Sequence, residues 1–80
     1  MAKSANVNVL LGKLIKQRRK ELHLSQEQLA ESAGLHRTYI GQLEQGKKSP
    51  TIRTLFLLAN TLKIKPSEMV RNLEGLDERP

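Results

Sequence analysis

The stretch Leu24-Ser25-Gln26-Glu27-Gln28-Leu29-Ala30-Glu31-Ser32-Ala33-Gly34-Leu35-His36-Arg37-Thr38-Tyr39-Ile40-Gly41-Gln42-Leu43-Glu44-Gln45-Gly46 decides the fold. Ser25 and Gln28 stand at capping-box spacing: the Ser hydroxyl accepts the Gln28 amide, and the Gln28 side chain returns to the amide of Ser25. A helix therefore starts after Ser25, turns Leu29 and Ala30 inward and stops before Gly34. Gly34 sits where a left-handed residue closes a helix, and Leu35 follows as an apolar plug. A second short helix runs from about residue 36 to residue 45 and ends at Gly46 by the same device. Ile40 and Leu43 form its inner face, with Tyr39 at the border. At roughly 100° per residue, Thr38, Gly41, Gln42 and Gln45 point the opposite way, with Arg37 at the edge.

Outward from this stretch the chain reads as helix throughout. No segment of useful length alternates polar and apolar residues, and no Asn-Gly or Asp-Gly hairpin turn occurs. Leu10, Leu11, Leu14, Ile15 and Leu22 recur at helical spacing and predict a helix from about Asn8 to Leu22. Arg18 falls inside that stripe, with its stem on the core and its guanidinium reaching water. Thr51 caps a helix whose core stripe is Leu55, Leu58, Ala59 and Leu62. Lys65-Pro66-Ser67-Glu68 opens the last helix, with Pro at the first helical position and Glu complementing the dipole. Met69, Val70 and Leu73 are its apolar side, and Gly75 is read as its end. The prediction is an all-α, five-helix domain over residues 8–75, with tails at 1–7 and 76–80.

Composition narrows the function. A chain of 80 residues accommodates one small domain. Cys is absent, which excludes disulfides, thiolate metal sites and Cys nucleophiles. The longest apolar run, Leu55 to Ala59, is far short of the ~18 residues a membrane span needs. No apolar segment precedes Val7, so a secretory leader is not expected and an intracellular location is. His23 and His36 are the only histidines, with no carboxylate at ligand spacing, so neither a metal nor any other cofactor is expected. Ser25 is explained by its cap and the only Asp is Asp77, which leaves no catalytic constellation. Two aromatics, Tyr39 and Phe56, are too few for a single-strand stacking platform.

The net charge of +6 is unevenly spread. Residues 1–20 hold six cations and no acid, and residues 47–65 hold five cations and no acid. Between them, residues 21–46 hold four Glu against one Arg. Two basic blocks around an acidic one fit a polyanion touched by two separate segments, while the plainer reading is a set of solvated Lys faces. The helix pair of residues 26–45, joined by a short glycine turn, has the geometry of a helix-turn-helix. In that arrangement the first helix braces on the phosphate backbone, and the outer face of the second meets base edges in the major groove. Gln pairs both edge atoms of adenine and Arg those of guanine.

The run Leu24-Ser25-Gln26-Glu27-Gln28-Leu29-Ala30, then Ala33-Gly34-Leu35, Ile40, Glu44-Gln45-Gly46-Lys47 and Pro50-Thr51-Ile52-Arg53-Thr54-Leu55, resembles the phage repressor/Cro-type (XRE-like) helix-turn-helix family. The match covers about Leu11 to Leu73. The resemblance implies a five-helix domain that binds double-stranded DNA as a homodimer and regulates transcription at a pseudo-palindromic operator. It places base reading on Arg37, Thr38 and Gln42. It puts backbone or border contacts on Gln26, His36, Tyr39, Lys47, Lys48, Ser49 and Thr51, and a structural ion pair between Arg19 and Glu44. The stretch Gly34 to Ile40 is most similar to controller proteins of restriction–modification systems. Three positions depart from the family pattern: His36 replaces the usual Ser or Thr cap, Gly41 a common mid-helix Ser, and Thr54 the Glu that would complete a capping box.

Leu57 lies outside the core stripe of its helix, and with Ile64, Met69 and Leu73 it is the expected apolar patch of a two-fold interface. The expected partners are thus duplex DNA and a second copy of the chain. RNA polymerase joins them only through promoter geometry, which the sequence does not carry, so repressor and activator read alike. The alternative function class is a protein-binding module, such as an antitoxin that neutralises a partner. A toxin gene beside this one, or a partner co-purifying at stoichiometric yield, distinguishes the two.

Overall fold

In the computed structural model, five helices follow in the order α1 (Lys3–Glu21), α2 (Gln26–Ala33), α3 (Arg37–Glu44), α4 (Ile52–Thr61) and α5 (Pro66–Asp77). The structure describes the backbone of residues 3–77 and the side chains of residues 7–74, with no strand among them. Residues 1–2 and 78–80, which belong to the two expected tails, lie outside the described residues. Within that range α1 begins at Lys3 rather than Asn8. Nothing between Lys3 and Val7 breaks a helix, and Val7 itself packs on the core. α5 likewise continues through Gly75 to Asp77. A glycine ends a helix by adopting a left-handed conformation, and the described glycines that do so are Gly34 (φ 72°) and Gly46 (φ 76°).

The helix ends show how local chemistry sets the path of the chain. The Ser25 box forms as expected: Gln28 N donates to Ser25 Oγ at 3.0 Å and Ser25 N donates to Gln28 Oε1 at 2.8 Å. Thr51 Oγ1 accepts from Thr54 N at 3.1 Å, a single-sided cap. At the C-terminal ends of α1, α2, α3 and α4 an amide folds back onto a carbonyl five residues earlier. These bonds are Leu24 N to Arg19 O, Leu35 N to Ala30 O, Lys47 N to Gln42 O and Ile64 N to Ala59 O, at 2.8–3.0 Å. Each such closure needs one left-handed residue. Gly34 and Gly46 supply it without strain, whereas His23 (φ 59°) and Lys63 (φ 58°) do so against the steric cost of a Cβ.

The core gathers one stripe from each helix. Ile15, Leu29, Ile40, Leu43, Leu58, Leu62 and Met69 are fully enclosed, each burial contributing about 1.5–3 kcal/mol. α3 packs on α1 and α2, α5 on α1 and α4, and α2 on α4. Met69 and Leu73, expected at a dimer interface, belong to this core instead, at 0% and 9% exposure. Their spacing fits a stripe that closes the protomer against α4 and α1, so they offer no surface to a second copy. Leu57 is exposed as expected, and Ile64 is half-buried.

α1 is fastened on two sides by adjacent arginines. Arg18 Nε donates to Leu62 O at 2.8 Å and Arg18 Nη2 to Lys63 O at 3.2 Å, so this side chain caps α4. Its Nη1 also meets Glu21 Oε1 at 3.2 Å. Arg19 turns the other way, toward α3. Gly12 marks the closest approach on that side. A Cβ there would lie 2.6 Å from Glu44 O and nearer still to Leu43 O. Gly46 closes the same seam, packing on Val9.

Candidate nucleic-acid interface

α3 is held by an ion-pair network at its C-terminal end. Arg19 Nε and Nη2 donate to Glu44 Oε2 and Oε1 at 2.6 and 3.0 Å, a two-point fork, and Arg19 Nη1 donates to Leu24 O at 2.8 Å. Gln26 Nε2 completes it with a bond to Glu44 Oε1 at 3.0 Å. Arg19 is the one charged residue among the buried described residues. The hydrogen bond to Glu44 raises its pKa above the ordinary guanidinium value, against the opposing effect of burial. The Arg19–Glu44 pair therefore ties together α1, the turn before α2, the first residue of α2 and α3. The predicted pair of Arg19 and Glu44 is formed.

With its inner face so fixed, α3 turns its other side outward. Arg37, Thr38 and Gln45 are exposed and Gln42 is half-exposed, while Ile40 and Leu43 are buried. The predicted base-reading residues Arg37, Thr38 and Gln42 thus stand on the accessible side of one short helix. Gly41 lies among them. A Cβ there would meet only the Gln26 side chain, at 3.8 Å from its Oε1, so packing within the protomer does not require the glycine. His36 is the N-cap of α3 and makes no side-chain cap bond, which leaves its imidazole free at the head of that helix. Tyr39 is half-buried against the core.

Two polar segments flank α3. At the start of α2, Gln26 has spent one donor of its amide on Glu44 and keeps a second, next to the first-turn amides of the helix. Such amides point at an anion by construction. After α3, Lys47, Lys48, Ser49 and Thr51 are all exposed. The Thr51 hydroxyl is engaged with Thr54, accepting from its amide and donating to its Oγ1 at 3.1 Å. The structure therefore presents amide donors at the start of α2 and cations after the end of α3, next to an outward-facing polar helix.

The sequence reading missed three features. Gly12 carries no local signal, because its role depends on carbonyls more than thirty residues away. The bond from Gln26 to Glu44 was not foreseen, although both residues were singled out. Ile52 and Phe56, 72% and 56% exposed, form an apolar strip along α4. Phe56 opens onto a furrow shared with Ile64 and Pro66 at the start of α5. Val70 of α5 is also exposed, at 47%. Among the described residues no three His, Asp or Glu side chains gather as a metal site, and no helix is long and apolar enough to cross a membrane.

Comparison with known proteins agrees with this geometry. A helix-turn-helix family model matches residues 15–69. The control protein C.SmaI of Serratia marcescens is 44% identical, over 88% of this chain and 89% of its own. The crystal structure of the restriction–modification controller protein C.AhdI of Aeromonas hydrophila superposes with a TM-score of 0.75 at 35% identity, covering 78% of this chain and 94% of that one. A tyrosine variant of C.Esp1396I bound to its operator superposes with a TM-score of 0.79 at 26% identity, covering 91% and 96%. The chain belongs to the helix-turn-helix family of DNA-binding transcription regulators.

Proposed function

We propose that this protein reads a pseudo-palindromic operator as a homodimer, with α3 in the major groove, and controls the genes of a restriction–modification system. The observation that carries the reading is the outward row of Arg37, Thr38 and Gln42 on a helix clamped from behind by Arg19, Glu44 and Gln26. Arg37 and Gln42 have the donor and acceptor patterns that discriminate guanine and adenine. Gln26 at the start of α2 and Lys47, Lys48 and Ser49 after α3 fix the register on phosphates. The restriction–modification assignment rests on the likeness to C.SmaI and C.AhdI.

A dimer places two such helices about 34 Å apart, one turn of the duplex. Its interface falls on the exposed apolar side of α4 and α5, where Ile52, Phe56 and Val70 add to the expected Leu57 and Ile64. Selection of bound duplexes from a random pool tests the whole reading. A two-fold motif with half-sites one turn apart is expected. Arg37→Ala and Gln42→Ala should each relax discrimination at defined positions, by about 1–3 kcal/mol. Steeply salt-dependent binding with no enriched motif would mean that the charge of +6 alone draws the protein to DNA.

A further inference from the structure

α1 carries a row of cations outside the α2–α3 interface. Lys13, Lys16 and Lys20 are exposed, and with Gln17 and Glu21 they line one shallow furrow on the helix. The seam between α1 and α3 fixes their place relative to the reading helix. Gly12 lies against the carbonyls of Leu43 and Glu44, and Arg19 holds the Glu44 carboxylate, so the line from Gly12 to Arg19 is the edge of α1 that faces α3. Lys16 comes four residues after Gly12 and three before Arg19. At roughly 100° per residue it stands about 40° off Gly12, on the side away from the core residues Leu11 and Ile15. Lys20 and Lys13 lie at about 80° and 100°. The row therefore begins beside the edge of α1 that packs on α3 and runs out over the solvent face.

Charge balance separates this row from an ordinary solvated face. Lys16 and Lys20 are like charges four residues apart, an arrangement that weakens a helix. Glu21, which lines the same furrow, is engaged by Arg18 and Gln17, and Glu44 by Arg19 and Gln26. Among the described residues, none of the three lysines has a carboxylate at ion-pair distance. Uncompensated cations on the helix that clamps α3 suit a polyanion. From Lys13 to Lys20 the helix rises about 10 Å, roughly the rise of three nucleotides along one strand.

We propose that Lys13, Lys16 and Lys20 form an auxiliary phosphate-binding edge. It grips the backbone of the operator duplex beyond the half-site read by α3, on the side anchored by Gln26. This rests on the operator reading proposed for α3. The edge carries no base information; it lengthens the footprint and steepens the salt dependence.

The test compares K16Q/K20Q with K63Q/K65Q, which removes the same charge at the turn between α4 and α5, the end of α4 remote from Thr51. Each protein, with circular dichroism as the check on folding, is titrated with salt and footprinted by hydroxyl radicals. The duplex is the selected operator, once with long flanks and once trimmed to its half-sites. Wild type and K63Q/K65Q should both lose affinity on trimming. K16Q/K20Q should bind the two duplexes alike, keep protection at the half-sites and lose it at the outer edge. Its salt slope should be flatter by about 0.9 for each lysine removed. Unchanged outer protection in K16Q/K20Q, or equal flattening in both variants, would overturn the proposal. A wild-type footprint on the half-sites with no outer protection refutes the edge alone, whereas no half-site protection refutes the operator reading itself.

Discussion

Replacing Gly12 with alanine should destabilise the domain even though alanine is the better helix former. The new Cβ would stand 2.6 Å from Glu44 O and 2.8 Å from Glu44 C, and closer still to Leu43 O. Carbon–oxygen contacts ordinarily begin near ~3.3 Å, so α1 must retreat from α3 by more than ~0.7 Å. The obstacle is backbone, which has no rotamer to yield, so the cost falls at the upper end of the usual overpacking range, about 3 kcal/mol. Alanine returns about 1 kcal/mol of helix propensity. The net loss is about 2 kcal/mol, or a Tm lower by roughly 8–16 °C in a domain of this size. Gly41→Ala is the internal control. Its Cβ meets only a flexible side chain at 3.8 Å, so the propensity gain stands and Tm should rise by about 4–8 °C. Thermal and urea denaturation of both variants, monitored by circular dichroism, decides the matter. If the two substitutions shift stability in the same direction, the reasoning about the seam is wrong. Operator affinity of the Gly41→Ala protein adds a second result, since a loss there despite higher stability would mean that DNA, not packing, requires the glycine.

Glu44→Ala strands the guanidinium of Arg19, whose side chain is only 10% exposed. The cost should be about 3–5 kcal/mol in urea denaturation, and a loss below about 1 kcal/mol would show that the pair is not what fixes α3. His36→Asn supplies the missing side-chain cap at the head of α3 and should add about 1 kcal/mol; an unchanged Tm would mean that the first-turn amides gain nothing from it. Phe56→Glu should convert the proposed dimer to monomer in sedimentation equilibrium and weaken operator binding, and an unaltered mass would move the proposed two-fold interface off this face of α4.

The helix boundaries that local chemistry controls were legible in the sequence. Ser25 and Gln28 open α2, Thr51 opens α4, and Gly34 and Gly46 adopt the left-handed conformation read from their positions. The ends of α1 and α4 gave no such signal, because His23 and Lys63 take the same conformation without being glycine. The outward face of α3 could be derived from its periodicity, whereas its clamp came only from a resemblance. The bond between Gln26 and Glu44 joins residues brought together by tertiary packing alone. Met69 and Leu73 show the limit of periodicity. It identifies an apolar stripe but not whether the chain's own core or a second copy covers it. Here α5 lies on α1 and α4, and the stripe is used within the protomer.

The neighbouring arginines of α1 bear on spacing. Arg19 fastens the helix to α3, while Arg18 fastens it to the two carbonyls, of Leu62 and Lys63, that directly follow α4. α3 and the apolar edge of the protomer are thereby pinned to the same helix, a stiff bracket if both fastenings hold. In a two-fold assembly any play in the angle between α3 and that edge would enter twice. A stiff bracket therefore leaves the duplex to absorb any mismatch, and one inserted base pair between half-sites turns them by about 34–36° relative to each other. Arg18→Ala should loosen that gauge. Binding to operators lengthened or shortened by one base pair should then fall less steeply for the variant than for the wild type, and identical penalties in both would show that the stiffness resides elsewhere.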